Sequence, residues 1–360
     1  MRFASSLFDK TKQKFDVYIG NLDLLSIMLP IWDQFLQWIT FDLFWTVMTL
    51  GILVDGLIAL YIDSPVVPQF MRTLLLFGKF GKEPKLTKPT KESSTKESSA
   101  WVVLCDGINS VLKKLEVPKS WFRHFYIYLL VVWCLVVFNL LASKTEFFRN
   151  FSVGHLLLAT QLMQSCRRIY ETNFVSIYSG KLVKDYLNSI YKNICLFSDN
   201  SINFVHYLTG YLFYSSLGYV TYSSIKNSQS SNEFPGLSSW LFFSLFIFAS
   251  YIQYNSHVIL ARLRTDKPFS EEHSQHNYHI PRAGLFRLIT CPHYLAEILI
   301  YLSMYQLTPY TSSLNFSWLF LVLFVIANQL VASLVTHRWY SAKFGDKFSP
   351  QVKAVIPFVL

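Results

Sequence analysis

What this sequence most lacks is charge. Asp, Glu, Lys and Arg supply only 15% of its 360 residues, where a soluble domain is nearer a quarter. It also lacks a disulfide framework: the five cysteines (Cys105, Cys134, Cys166, Cys195 and Cys291) are odd in number and lie in apolar runs or basic loops, without zinc or redox spacing. The first residues, MRFASSLFDKTKQKF, carry no long apolar core of a cleaved signal peptide. No GxGxxG, Walker loop, GxSxG or HExxH occurs, so a dinucleotide held here would be held without a Rossmann fold. No acidic residue stands at ligand spacing from the histidine pairs, which leaves metal ligation unsupported.

What is present is apolar and aromatic, 52% and 17% of the chain. It comes in blocks long enough to cross a bilayer, which takes ~20 residues per helix. The blocks are Phe41–Tyr61, Phe122–Leu141, Val153–Cys166, Asn203–Tyr222, Leu237–Leu260, Tyr294–Leu307 and Phe316–Val335. The expected fold is an all-α integral membrane protein, a bundle of about seven transmembrane helices. The third and sixth blocks are short and need their polar flanks to line a cavity. Leu22–Ile39 is also apolar, but Asp23, Pro30, Asp33 and Gln37 interrupt it. It reads as an interfacial or lumenal segment. The organisation is then an N-terminal segment (1–40), a first span (41–62), a loop (63–116) and a membrane domain (117–360). Within the loop, Gly81–Ser99 is polar, low in complexity and expected to be a disordered cytosolic insert.

The net charge of +10 forms no continuous stripe of the kind nucleic acid needs; it sits between the apolar blocks. With seven spans, the odd loops and the C-terminal tail hold 24 Lys and Arg, the even loops 3. That asymmetry puts the odd loops and the C-terminus in the cytosol and the N-terminus across the membrane. Two sequons, Asn150-Phe-Ser152 and Asn315-Phe-Ser317, fall in even loops close to helix starts, where chance occurrence explains them.

Charged and imidazole side chains at membrane depth are costly and mark sites unless they reach the interface. Four clusters do so: Val117–Tyr126 (VPKSWFRHFY), Gln164–Glu171 (QSCRRIYE), a tract from Gln253 to Glu297, and His337–Phe344 (HRWYSAKF). The third places His257, His276, His279 and His293 within 37 residues, beside Arg262, Arg264 and Glu297. In the fourth, His337 and Tyr340 are i and i+3 and share a helix face. A polyanion arriving from the cytosol suits this arrangement, because arginine forks bind phosphates in pairs.

From NSHVILARLR through YHIPRAGLF, CPHYLAEILIYLS and HRWYSAKF to KAVIPFVL, the chain resembles the steroid 5-alpha-reductase family. VPKSWFRHFY and SCRRIYE point to its polyprenol (polyprenal) reductase branch, of fungal type. The resemblance implies seven helices, residence in the endoplasmic reticulum membrane and NADPH bound among the helices from the cytosolic side. It implies cofactor contacts from Arg168, Arg264, Tyr278, His293, Glu297 and Tyr340, with Trp121 near substrate and nicotinamide. His257, His279 and His337 belong to the same motifs and join that set. Three departures matter: Ser165 stands where the steroid enzymes carry Tyr, Phe125 where they carry Glu, and His279 where an Arg is common. The first two remove the groups that would hold a steroid 3-ketone. The implied substrate is a long-chain polyprenoid lipid, its α-isoprene double bond reduced toward dolichal and dolichol for protein N-glycosylation. His124 is the candidate acid, with Tyr126 as the alternative.

Two other readings stand beside this one. CPHYLAE is similar to the CPHYxxE-like motif of isoprenylcysteine methyltransferases, although YHIPRAGLF and HRWYSAKF favour the reductase. A seven-helix lipid receptor or transporter would share the orientation, but has little reason for four histidine-rich clusters on one side.

Overall fold

The computed structural model describes residues 41–60, 107, 116–118, 121–142, 150–176, 201–227, 234–265, 279–309 and 315–357. The expectations for Leu22–Ile39, for the insert Gly81–Ser99, for His276 and Tyr278, and for the side chain of Arg264 fall outside what is described. By contacts the chain divides into Met1–Met48 and Thr49–Leu360.

Seven α-helices are present among the described residues: α1 (Leu43–Leu60), α2 (Phe122–Ala142), α3 (Val153–Tyr170), α4 (Phe204–Asn227), α5 (Leu237–Thr265), α6 (Pro292–Gln306) and α7 (Asn315–Phe344). Three stretches are long and apolar enough to cross a membrane: Phe122–Ala142, Leu237–Leu263 and Phe316–Lys347. Several helices outrun the apolar blocks. At 1.5 Å per residue, α5 with 29 residues and α7 with 30 are each about 45 Å long, against an apolar bilayer core of about 30 Å. Their polar ends, NSHVILARLRT on α5 and HRWYSAKF on α7, continue the helix beyond that thickness. α3 likewise runs on through Arg167 and Arg168 into a π-turn, Glu171–Val175. Its other end is closed locally, where the Ser152 backbone N–H donates to His155 Nδ1 at 3.1 Å.

One element escapes the periodicity of the sequence altogether. Strand β1 (Glu116–Pro118) pairs antiparallel with β2 (Ser201–Asn203), Val117 opposite Ile202. Three residues each are too short to show an alternating pattern. The ribbon precedes α2 and α4 directly, so both helices start at the same end of the bundle. Behind it Phe125 and Tyr207 form a buried pair with Val117, Phe122, Tyr211 and Tyr214 around them.

The remaining helix ends are fixed by polar contacts. Arg168 at the end of α3 donates to Tyr126 near the start of α2. His257, toward the end of α5, reaches Glu171. Gln253 donates to the His293 carbonyl at the start of α6. The end of α7 meets the start of α6 through His337 and Thr290, and a parallel bridge pairs Ile289 with Lys353. Helices α2 to α7 therefore alternate in direction, and starts and ends gather on one polar side.

Small residues set the closest approaches, as expected where lipid offers no hydrophobic drive between helices. A Cβ on Gly210 of α4 would lie 2.9 Å from the Phe125 ring of α2, and one on Gly218 2.3 Å from Val132. Gly210→Val and Gly218→Val are each expected to destabilise the detergent-solubilised protein by about 1–3 kcal/mol through overpacking. Gly51→Ala, at a position inside α1 with nothing within 4 Å, meets no clash and does not lower the thermal midpoint.

Candidate functional site

The polar end of the bundle is organised on one carboxylate. Glu171 is fully buried and sits at the turn where α3 passes from α-helical to π geometry. That turn brings it under both preceding arginines: Arg167 pairs with it at i,i+4 and Arg168 at i,i+3. From α5, His257 Nδ1 lies 2.8 Å from Glu171 Oε2 and 3.0 Å from the Arg168 guanidinium. A carboxylate only accepts and a guanidinium only donates. With hydrogen on Nδ1 the ring donates to Glu171; with Nδ1 bare it accepts from Arg168, so the two contacts belong to different tautomers. Burial alone would raise the Glu171 carboxyl. The His257 hydrogen bond, Arg168 and Arg167 outweigh it and hold the group at about 2, against an ordinary 4.5.

Each nitrogen of Arg168 is engaged inside the bundle. Its Nε and one terminal nitrogen donate to the Tyr126 hydroxyl at 3.1 and 2.8 Å, and the other terminal nitrogen donates to Glu171. Arg167 extends the network sideways. It donates to Gln164 Oε1 at 2.6 Å and to Gln253 Oε1, and Gln253 in turn donates to Glu297 Oε2 on α6. The Arg167 Nε is buried with no hydrogen-bond partner. Tyr214 from α4 lies against Tyr126 with ring centroids 6.0 Å apart, and Tyr301 from α6 packs on Phe213 of α4 at 5.7 Å. Side chains of α2, α3, α4, α5 and α6 thus converge on one polar centre.

Of the residues singled out in the sequence, Tyr126, Arg168, His257 and Glu297 are joined in this centre. His293 stands beside it, with its ring 5.7 Å from that of His257. The two acid candidates are separated: two residues apart on a helix is about 200° of rotation. His124 therefore looks the other way, its Nδ1 3.1 Å from the Tyr207 hydroxyl, which continues to Tyr211 at 2.8 Å. Trp121 joins that second face, 5.5 Å from the rings of both His124 and Tyr207. His337 and Tyr340 do share a face, both packing on Phe348. The His337 Nδ1 is 2.7 Å from Thr290 Oγ1, and its ring lines a cleft with Ser341, Asp346 and Ser349. Tyr340 is buried, stacked on Phe344 and Phe348. His279 is half-buried ahead of the turn Gly284–Arg287, where Gly284 takes a positive φ of 56° that brings the backbone onto Ile259 of α5.

Two departures from the steroid pattern acquire a physical content. Ser165 accepts a hydrogen bond from Trp133 Nε1 at 2.9 Å, and that indole is fully buried. Phe125 points at Tyr207 in the α2–α4 seam, away from the polar centre. Neither position presents a hydroxyl or carboxyl for a ketone.

Glu171, Gln164 and Gln253 form the scaffold that residue-by-residue reading of the sequence did not assign. The signal for Glu171 was present, since a carboxylate three and four residues after two arginines shares their helix face. Tyr214 and Tyr301 carried none, being two tyrosines among 21. Because the folded Glu171 carboxyl is depressed, the stability it contributes is fully present above pH 4.5 and is lost as pH falls toward 2. Glu171→Gln is expected to cost about 3–5 kcal/mol at neutral pH, the cost of removing one partner from a buried ion pair. Thermal unfolding from pH 7 to pH 3 checks this: the wild-type midpoint falls in the acid range, and the variant lacks the Glu171 share of that fall.

Comparisons with known proteins identify the family of the chain. Residues 200–360 match the family model described as 3-oxo-5-alpha-steroid 4-dehydrogenase. The chain is 30% identical over 305 residues to the polyprenal reductase of Saccharomyces cerevisiae, covering 85% of this chain and 91% of that protein. It is 30% identical over 283 residues to the polyprenal reductase of Caenorhabditis elegans (70% and 82% covered). To that of Danio rerio it is 31% identical over 273 residues (68% and 80% covered). With its closing motifs on α5, α6 and α7 and its length shared with these reductases, the chain belongs to the steroid 5-alpha-reductase family, in the polyprenal reductase branch.

Proposed function

We propose that this protein reduces the α-isoprene double bond of polyprenal, in the endoplasmic reticulum membrane, using NADPH taken from the cytosol. The product is dolichal and, after reduction of the aldehyde, dolichol for protein N-glycosylation. The protein spans the membrane seven times, with its C-terminus and the polar end of the bundle cytosolic. The observation that carries this reading is the buried centre of Tyr126, Arg168, Glu171, His257 and Glu297, enclosed by helices at the end where the basic loops gather.

The residues present suit a dinucleotide polyanion. Arg262, Arg282, Arg287, Arg338 and Lys343 lie on the helix ends and connections at this side, and Arg167 Nε is a buried donor with no partner. Arg264, Tyr278, His279, His293, Glu297, His337 and Tyr340 would hold the cofactor, with Arg168 acting from beneath rather than as an outward fork. Bound NADPH supplies a hydride. The protein's own part is to exclude water, orient the enal and hold a donor at its oxygen. The apolar tail lies along the helices in lipid.

The aldehyde is the form that can react. Hydride attack on an alkene needs somewhere for the developing negative charge to go. An enal offers its carbonyl oxygen, whereas an allylic alcohol offers nothing. Purified protein with NADPH is expected to convert polyprenal and to leave polyprenol untouched. Conversion of the alcohol without prior oxidation would sink the enal argument. Tyr340→Ala or Arg264→Ala is expected to weaken NADPH binding by about tenfold or more, the scale of one charged hydrogen bond, with membrane insertion unchanged. Binding of S-adenosylmethionine in place of NADPH would revive the methyltransferase reading.

A further inference from the structure

We propose that Tyr126 is the acid at the substrate's aldehyde oxygen, and that Glu171 is a positioning residue acting on it through Arg168. This rests on the enal reductase reading above. A phenol has one O–H to give and lone pairs to receive with. In Tyr126 the receiving side is taken by Arg168, which donates to the oxygen from two nitrogens at 2.8 and 3.1 Å. The Tyr126 O–H has no acceptor among the described residues, though the ring is only 9% exposed. A buried donor left unspent at the centre of this network is a place for an acceptor to arrive. A carbonyl oxygen is such an acceptor.

The same two bonds suit the oxygen to negative charge. As hydride from NADPH adds to the β-carbon, the C=C pair moves to the bond between the α-carbon and the carbonyl carbon. The carbonyl pair then moves onto oxygen. That oxygen takes the Tyr126 proton, and the tyrosinate left behind faces the fixed Arg168 guanidinium. The enol returns its proton to Tyr126 as its α-carbon takes one from solvent, which leaves the saturated aldehyde and the starting side chain. No group has to move, because Arg168 is held from its far side by Glu171, itself held by Arg167 and His257. His124 cannot share this role: it faces away from the centre and spends its Nδ1 on Tyr207.

The test uses the full-length protein in nanodiscs with NADPH and polyprenal, measuring turnover, NADPH binding and thermal stability on each variant. Tyr126→Phe is expected to lower kcat by about 10²–10⁴-fold, the range for a lost general acid, with the NADPH dissociation constant unchanged. Glu171→Gln is expected to lower kcat by about tenfold or more with little change in KM for polyprenal, as for a group acting in the transition state. Glu171→Asp, which restores the charge, recovers part of that loss. A Tyr126→Phe protein that turns over at the wild-type rate overturns the proposal. So does one that loses NADPH binding and thermal stability together with activity, since the hydroxyl would then be structural. A Glu171→Gln effect confined to KM removes the positioning role. A wild-type protein that binds NADPH but leaves polyprenal unchanged sinks the enal reading and this proposal with it.

Discussion

A carboxylate buried in a helical membrane bundle is the constraint on which the rest of this structure turns. Glu171 is stable as an anion only because two guanidiniums and an imidazole reach it, and those groups are tolerable there only because Glu171 neutralises part of their charge. Isolated charges in a low-dielectric surrounding cost several kcal/mol each. The end of α3, the polar end of α5 and the start of α2 therefore have to meet, and any arrangement that separates them leaves an unpaired charge. Hydrophobic packing alone would let apolar helices slide past one another. The network fixes their register.

The same constraint divides the two faces of α2. One face carries Tyr126 into the charged centre; the opposite face carries Phe125 and His124 into an aromatic seam with Tyr207 and Tyr211. The seam is close-packed over Gly210 and Gly218 and has no charge to satisfy. α2 can thus be anchored rigidly on α4 while its other face lines the charged centre. That is the arrangement a site needs when geometry must hold to within half an ångström or so.

Most of the helices were legible because spans and basic loops alternate, and that pattern is a property of composition. The boundaries were not. α5 and α7 run on through polar residues such as Arg262 and His337, which hydropathy reads as loop although the helices continue there. The strands Glu116–Pro118 and Ser201–Asn203 were invisible, since their pairing joins segments some eighty residues apart. At the site, motif resemblance pointed to Arg168, His257 and Glu297 but could not say what each touches. The sequence places His124 and Tyr126 side by side in one cluster; only the helical rotation between them shows that one joins the charged centre and the other does not. Arg168 was expected to fork outward onto phosphate, and its nitrogens turn inward because Glu171 lies within the same two turns of helix.

In the proposed topology of seven spans, that short-range pairing also bears on how the chain enters the bilayer. Helices are delivered to the membrane in order of synthesis, so Arg167 and Arg168 arrive before Gln253, His257 and Glu297 exist. With Glu171 three and four residues away, α3 brings its own counter-ion. The helix reaches the lipid boundary carrying one uncompensated charge instead of two, and waits for α5 with most of its electrostatic cost already met. A carboxylate supplied from a later helix would complete the same folded network, but it would leave the third helix to be inserted as a bare dication.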